Sequence, residues 1–154
     1  MTSLIEPVVG TTRYVYDDAG RLVTQTAPDG GVTVTGYNAA SEVVSVTAPN
    51  GGVTSFEYSD RGEKIKETSP VGGVTTYAYD AAGRLVSMVE PLGNVVGGNP
   101  SDYRTSYTYD PKGRRLTQTD QLGRVTSWVY DTLDRVVTET RPDGLNCTPD
   151  SGVL

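Results

Sequence analysis

Tyr16-Asp17-Asp18-Ala19-Gly20-Arg21-Leu22-Val23-Thr24-Gln25-Thr26-Ala27-Pro28-Asp29-Gly30-Gly31-Val32-Thr33-Val34-Thr35-Gly36 is the stretch that decides the fold, because the chain repeats it. The same phrase restarts at Tyr37, Tyr58, Tyr79, Tyr109 and Tyr130, at spacings of 21, 21, 21, 30 and 21. Six copies fill the chain from about residue 11 to 145, between tails at 1–10 and 146–154. The one long spacing carries nine extra residues, Val95 to Tyr103. A fixed period of this kind marks a repeat architecture.

Each column of the repeat has a physical reading. The residue after the anchor Tyr is Asp17, Asn38, Ser59, Asp80, Asp110 or Asp131, and three further on stands Gly20, Ser41, Gly62, Gly83, Gly113 or Asp134. Asp-x-x-Gly is a tight turn: Asp bonds its own backbone two residues on, and Gly supplies a positive φ. Next comes Arg21, Glu42, Glu63, Arg84, Arg114 or Arg135, followed two residues later by an aliphatic side chain. Pro-x-Gly-Gly makes a second turn, with Pro presetting φ; Gln121 replaces the Pro in the fifth copy. Between turns lie runs such as Val53-Thr54-Ser55-Phe56-Glu57-Tyr58, which alternate and are rich in β-branched and aromatic residues. They read as strands. No stretch escapes Gly, Pro or β-branching long enough for a helix. The expected fold is all-β: antiparallel hairpins, two strands per repeat, stacked into one curved or spiralling sheet about 55 Å long at roughly 4.8 Å per strand.

Strand parity places each anchor Tyr, the aromatic two before it and the Thr four before it on one face. Two loop geometries remain open. A four-residue loop brings the Arg and the aliphatic two beyond it to the Tyr face, whereas a bulge brings Leu22, Val43 and Leu85 there instead.

Composition sets exclusions. The 154 residues hold no His and one Cys, so histidine bases, Ser-His-Asp triads, histidine metal sites and internal disulfides are absent. Thirteen Lys and Arg against 19 Asp and Glu argue against binding nucleic acid or anionic lipid. No run approaches the roughly 20 apolar residues of a membrane span, and the first residues lack the basic and apolar segments of a secretory signal. Only 36% of residues are hydrophobic, which is little for a thick core but enough for a sheet held by neighbour-on-neighbour stacking.

Tyr16-Asp17-Asp18-Ala19-Gly20-Arg21-Leu22, Tyr79-Asp80-Ala81-Ala82-Gly83-Arg84-Leu85 and Tyr109-Asp110-Pro111-Lys112-Gly113-Arg114 resemble the YD repeats of RHS proteins. The anchors that carry the resemblance are Tyr16, Gly20, Tyr37, Tyr58, Gly62, Tyr79, Gly83, Tyr109, Gly113 and Tyr130. In that family, repeats coil into a hollow β-sheet shell around a toxic domain in bacterial toxin complexes, and related barrels serve adhesion in teneurins. The resemblance implies a non-enzymatic structural module without cofactors, secreted or on a bacterial cell surface. Its implied partners are neighbouring repeats of the same or an identical chain, an enclosed toxin domain or a surface carbohydrate. Six repeats are too few to close such a shell, and no region resembles the self-cleaving core. Two alternatives stand beside it: a carbohydrate or cell-surface binding module, and a subunit that assembles into fibres through its edge strands.

The individual candidates carry weaker signals. Asp110-Pro111-Lys112-Gly113 resembles the Asp-Pro-x-Gly of the family's autoproteolytic core but falls on a repeat turn. Asp150-Ser151-Gly152 resembles an aspartic-protease triplet, yet that chemistry needs two. Asn146-Cys147-Thr148 matches a glycosylation sequon, and Cys147 is a lone thiol. The Asp17-Asp18 pair and Asp29 lack calcium-loop spacing. The Arg column either binds anions or pairs with neighbouring carboxylates and Tyr rings. The nine-residue insertion is the best candidate for a specific contact, since departures from a regular scaffold tend to carry function. Trp128, Tyr103, Asn99 and Arg84 are the candidate contact residues.

Overall fold

The computed structural model describes residues 10–143 and the backbone of Asn146–Cys147. The tail motifs at Asn146-Cys147-Thr148 and Asp150-Ser151-Gly152 therefore lie outside the described side chains. The chain divides into two units, Met1–Gly73 and Val74–Leu154.

The first unit holds β1 (Arg13–Tyr16), β2 (Leu22–Thr26), β3 (Val32–Tyr37), β4 (Val43–Thr47), β5 (Val53–Tyr58) and β6 (Lys64–Thr68). Each strand pairs antiparallel with the next. The second unit holds β7 (Val74–Tyr79), β8 (Leu85–Val89), β9 (Arg104–Tyr109), β10 (Arg115–Thr119), β11 (Val125–Tyr130), β12 (Val136–Thr140) and the short β13 (Asn146–Cys147), again paired in sequence order. Short connections impose this order, because a tight turn lays each strand back beside the one just completed. The all-β, antiparallel expectation holds. The described residues contain no α-helix, only two single-turn 3-10 helices, Pro91–Asn94 and Pro100–Tyr103. None of these is long and apolar enough to cross a membrane.

Both turn types share one backbone design. In the first, the Gly20 N–H donates to the Asp17 carbonyl and the Asp17 N–H to the Arg21 carbonyl, both at 2.9 Å. Gly20 takes a φ of 77°. Ser41 and Asp134 occupy the equivalent place at 65° and 63°, so the repeat imposes the left-handed conformation even on residues with a Cβ, where it is strained.

The parity question resolves in favour of the bulge. Tyr16 pairs with Leu22 and Val15 with Thr24, leaving Val23 as the extra residue. The same shift recurs at Tyr37–Val43, Tyr58–Lys64, Tyr79–Leu85, Tyr109–Arg115 and Tyr130–Val136. Leu22, Val43 and Leu85 therefore stand opposite Tyr16, Tyr37 and Tyr79. The aromatic two before the anchor meets a long side chain across the ladder: Tyr14 meets Gln25, Phe56 Glu67, Tyr77 Met88 and Trp128 Glu139. The opposite face carries mostly small and β-branched residues, together with the Glu57–Lys66 ion pair, and Val32, Val34 and Val53 are exposed on it.

Burial concentrates in one place. Among the described residues only Val89 and Gly93 are buried, Val89 at the end of β8 and Gly93 in the 3-10 turn just before the insertion. The two 3-10 turns fold back so that the Glu90 N–H donates to the Tyr103 carbonyl at 3.0 Å. The Asn94 amide donates to the carbonyls of Val74 (2.9 Å), Val89 (3.1 Å) and Glu90 (3.3 Å), and its oxygen accepts from the Thr76 hydroxyl at 3.3 Å. One side chain thus fastens the insertion to the ends of β7 and β8. The insertion is thus tied down at its base, while of residues 95–103 only Gly98 and Tyr103 are half-buried and the rest are exposed. Leu92, just before it, and Val95 and Val96 within it are exposed apolar side chains.

Candidate functional site, a clasp between repeats

The columns that define the repeat meet in space as one device. It begins with Asp. Asp17 Oδ1 accepts the N–H groups of Ala19 (3.0 Å) and Arg21 (2.9 Å), which fixes the turn. Its Oδ2 takes the Arg21 guanidinium through Nε at 2.8 Å and Nη2 at 2.7 Å. Held there, Arg21 has one nitrogen left, and Nη1 donates to the Asn38 carbonyl of the next repeat at 3.0 Å. Its guanidinium carbon lies 4.8 Å from the centroid of the Tyr37 ring, within cation–π range. Tyr37 in turn donates its hydroxyl back to the Leu22 carbonyl at 3.0 Å. The β2–β3 ladder begins at Thr24–Val34, so the Leu22 carbonyl has no strand partner on that side and the hydroxyl supplies one.

The second unit repeats the device twice. Arg84 bonds Asp80, reaches the Asp110 carbonyl at 3.0 Å and lies 5.0 Å from the Tyr109 ring; Tyr109 donates to the Leu85 carbonyl at 2.8 Å. Arg114 bonds Asp110, reaches the Asp131 carbonyl at 3.2 Å and lies 4.7 Å from the Tyr130 ring; Tyr130 donates to the Arg115 carbonyl at 2.8 Å. Arg114 also bonds Asp134, whose substitution for Gly adds an ion pair at 2.6 Å. The Arg column thus pairs with carboxylates and rings of its own wall. Asp110-Pro111-Lys112-Gly113 forms an ordinary turn of this set.

These contacts tune the carboxyls. At Asp17 and Asp80 the arginine side-chain hydrogen bond, followed by the arginine backbone N–H, holds the pKa below its ordinary value. At Asp110 and Asp120 burial is the largest single influence and acts upward, but the N–H and guanidinium donors together outweigh it. At Asp131 the Arg135 N–H leads. A carboxyl depressed on folding contributes stability above its unfolded pKa and loses it as pH falls through the folded value. The thermal midpoint is therefore expected to be level above about pH 5 and to fall progressively below about pH 4. Asp110→Asn should flatten that acid slope in a pH series of melting curves.

Other candidates have local roles. Trp128 lies 4.2 Å from the Arg115 guanidinium carbon, and Tyr107 lies 6.0 Å from it. Asn99 caps the second 3-10 turn, accepting from the Ser101 N–H at 3.1 Å and donating to Asp102 at 3.0 Å. Tyr103 closes the insertion through its carbonyl. With Arg84 in the clasp, the four candidate contact residues fall at separate places. No group of His, Cys, Asp and Glu among the described residues is arranged to hold a metal. One feature lay off the repeat register. Asp120-Gln121-Leu122-Gly123-Arg124, on the second-turn edge, builds the same turn and ion pair, with Arg124 Nε 2.7 Å from Asp120. The signal was the Asp-x-x-Gly-Arg spacing itself, read without the anchor Tyr.

The sequence matches the family described as RHS Repeat over residues 2–32, 37–73, 64–95 and 109–145, more than half of the chain. No curated protein matches it significantly. Among solved structures, a Photorhabdus luminescens Tc holotoxin pore with a substituted TccC3 aligns at a TM-score of 0.68 and 22% identity, covering 86% of this chain and 7% of that one. The TcdB2-TccC3-Cdc42 and TcdB2-TccC3 crystal structures each align at 0.67 and 22% identity, covering 84% and 7%. At that identity the likeness is one of fold, and this chain spans only about 7% of the length of each matched chain.

Proposed function

The chain belongs to the RHS repeat family, and on that premise we propose that it is a structural module, a run of wall in a β-sheet shell that encloses or presents a toxin or other partner. The setting is a secreted or surface-exposed bacterial protein. The observation that carries this reading is the clasp. The polar groups of the repeat signature are spent on the next repeat: Arg21 on Asn38 and Tyr37, Arg84 on Asp110 and Tyr109, Arg114 on Asp131 and Tyr130. Such a device extends a wall one hairpin at a time and needs little central core. Its chemistry is mechanical, and any reaction belongs to what the wall holds. The carbohydrate-binding alternative draws no support from Trp128, whose ring already faces Arg115.

The test is imaging of the product of the whole native open reading frame by electron cryomicroscopy. The expected result is a hollow β-walled particle in which residues 11–143 form consecutive rungs. Repeats folded around no enclosed space would overturn the shell reading.

A further inference from the structure

Two of the six repeats break the clasp, and the break leaves a shaped vacancy in the first unit. In the second repeat, Glu42 stands where four of the copies place Arg. The receiving parts at the next repeat are intact. Tyr58 keeps its place and donates to the Val43 carbonyl at 2.8 Å. The Ser59 carbonyl corresponds to those of Asn38, Asp110 and Asp131, each of which accepts an arginine Nη1 as well as its own turn N–H. The Ser59 carbonyl accepts the Gly62 N–H at 2.9 Å, and the position that would send it an arginine from the preceding repeat is Glu42. Lys64, on the strand that follows, lies 5.5 Å from the Phe56 ring and bonds Glu67 at 2.7 Å.

What occupies this junction has the opposite charge. Glu42 Oε2 accepts from the Asn38 amide at 2.6 Å, which orients the carboxylate. Its Oε1 reaches across to the next turn, 3.0 Å from where a Cβ on Gly62 would lie. Together with Asp60, Ser59, Phe56 and the Tyr58 ring, Glu42 lines an open depression of about 560 Å³. An aromatic face, a backbone carbonyl with a spare lone pair and an oriented carboxylate are the three things a guanidinium engages. The sibling junctions show a guanidinium on the first two of them.

We propose that the depression between Glu42 and Tyr58 binds the alkylguanidinium of an arginine side chain carried on a basic segment of a partner. The partner's Arg would lie over Tyr58, donate to the Ser59 carbonyl and pair with Glu42, completing from outside the clasp that this junction lacks. The flat fork suits the site better than an ammonium, because ring and carbonyl are engaged by different parts of one planar group.

The test is a heteronuclear NMR titration of the chain with the peptide acetyl-Gly-Arg-Gly-amide. The Tyr58, Ser59 and Gly62 amides should shift and saturate, the peptide with citrulline in place of Arg should leave them still at equal concentration, and N-acetylarginine should bind more weakly because its carboxylate, with no ammonium to offset it, meets Glu42 and Asp60. Glu42→Arg fills the vacancy from within and should abolish the shifts while raising the thermal midpoint. Glu42→Gln keeps the shape without the charge and should weaken binding at least about threefold. Equal shifts with the citrulline peptide, undiminished binding in both Glu42 variants, or no shift at those three amides would overturn the proposal. N-acetylarginine binding as tightly as the peptide would overturn the partner segment as its source.

Discussion

Gly93→Ala is expected to destabilise the chain by about 1–3 kcal/mol, the range for inserting a methyl into a filled site. The exposed position of most of this sheet makes such a cost unusual here, and the reason is local. A Cβ at Gly93 would stand 2.6 Å from Val89 Cγ1, 3.0 Å from the Tyr103 Cβ and 3.3 Å from the Pro100 Cα. Val89 cannot turn aside freely, because a β-branched side chain on a strand has few rotamers. Tyr103 and Pro100 belong to the second 3-10 turn, so the added methyl pushes the insertion off the strand end. Urea melts followed by circular dichroism would read the loss. Val89→Ala in the Gly93→Ala background should recover part of it, since the atom met first is then gone. Deletion of residues 95–103 removes Pro100 and Tyr103 together and should likewise expose Val89.

The second large effect falls on the clasp. Tyr109→Ala is expected to cost about 2–3 kcal/mol. It removes the hydroxyl bond to the Leu85 carbonyl at 2.8 Å and the ring beside Arg84. Tyr109→Phe removes only the hydroxyl and should cost about 1 kcal/mol. The gap between the two variants measures the ring, including its contact with the guanidinium. The loss should appear in equilibrium unfolding without a change in far-ultraviolet strand signal at low denaturant, because the ladder bonds themselves are untouched.

Much of this was legible in the chain because a repeat displays its columns. Six Tyr anchors, Asp-x-x-Gly and Pro-x-Gly-Gly placed the strands and turns, whereas the strain at Ser41 and Asp134 shows only in their positive φ. The side-chain partners were less legible. Asp, Arg and Tyr could be seen at constant spacing, but their meeting depends on a bulge that sets which residue lies opposite each Tyr, and alternation alone leaves that parity open. The insertion was read as a loop because it breaks the regularity of the repeat. Its closure rests on Asn94, which bonds three carbonyls, and no local pattern announces a side chain that serves distant backbone. Glu42 and Glu63 looked like degenerate copies. Only the geometry of intact junctions shows that the loss of an Arg leaves a vacancy.

The account turns on Arg and the following Tyr acting as one unit between successive repeats. A double-mutant cycle on Arg84 and Tyr109, with Arg84→Met, Tyr109→Phe, Tyr109→Ala and the paired variants, measures that directly. Residues that share a network lose less together than the sum of their separate losses, so Arg84→Met should cost distinctly less in the Tyr109→Ala chain than in the original. It should retain most of its cost in the Tyr109→Phe chain, where the ring remains. Strict additivity of Arg84→Met with Tyr109→Ala would contradict the clasp and leave the repeats joined by backbone pairing alone.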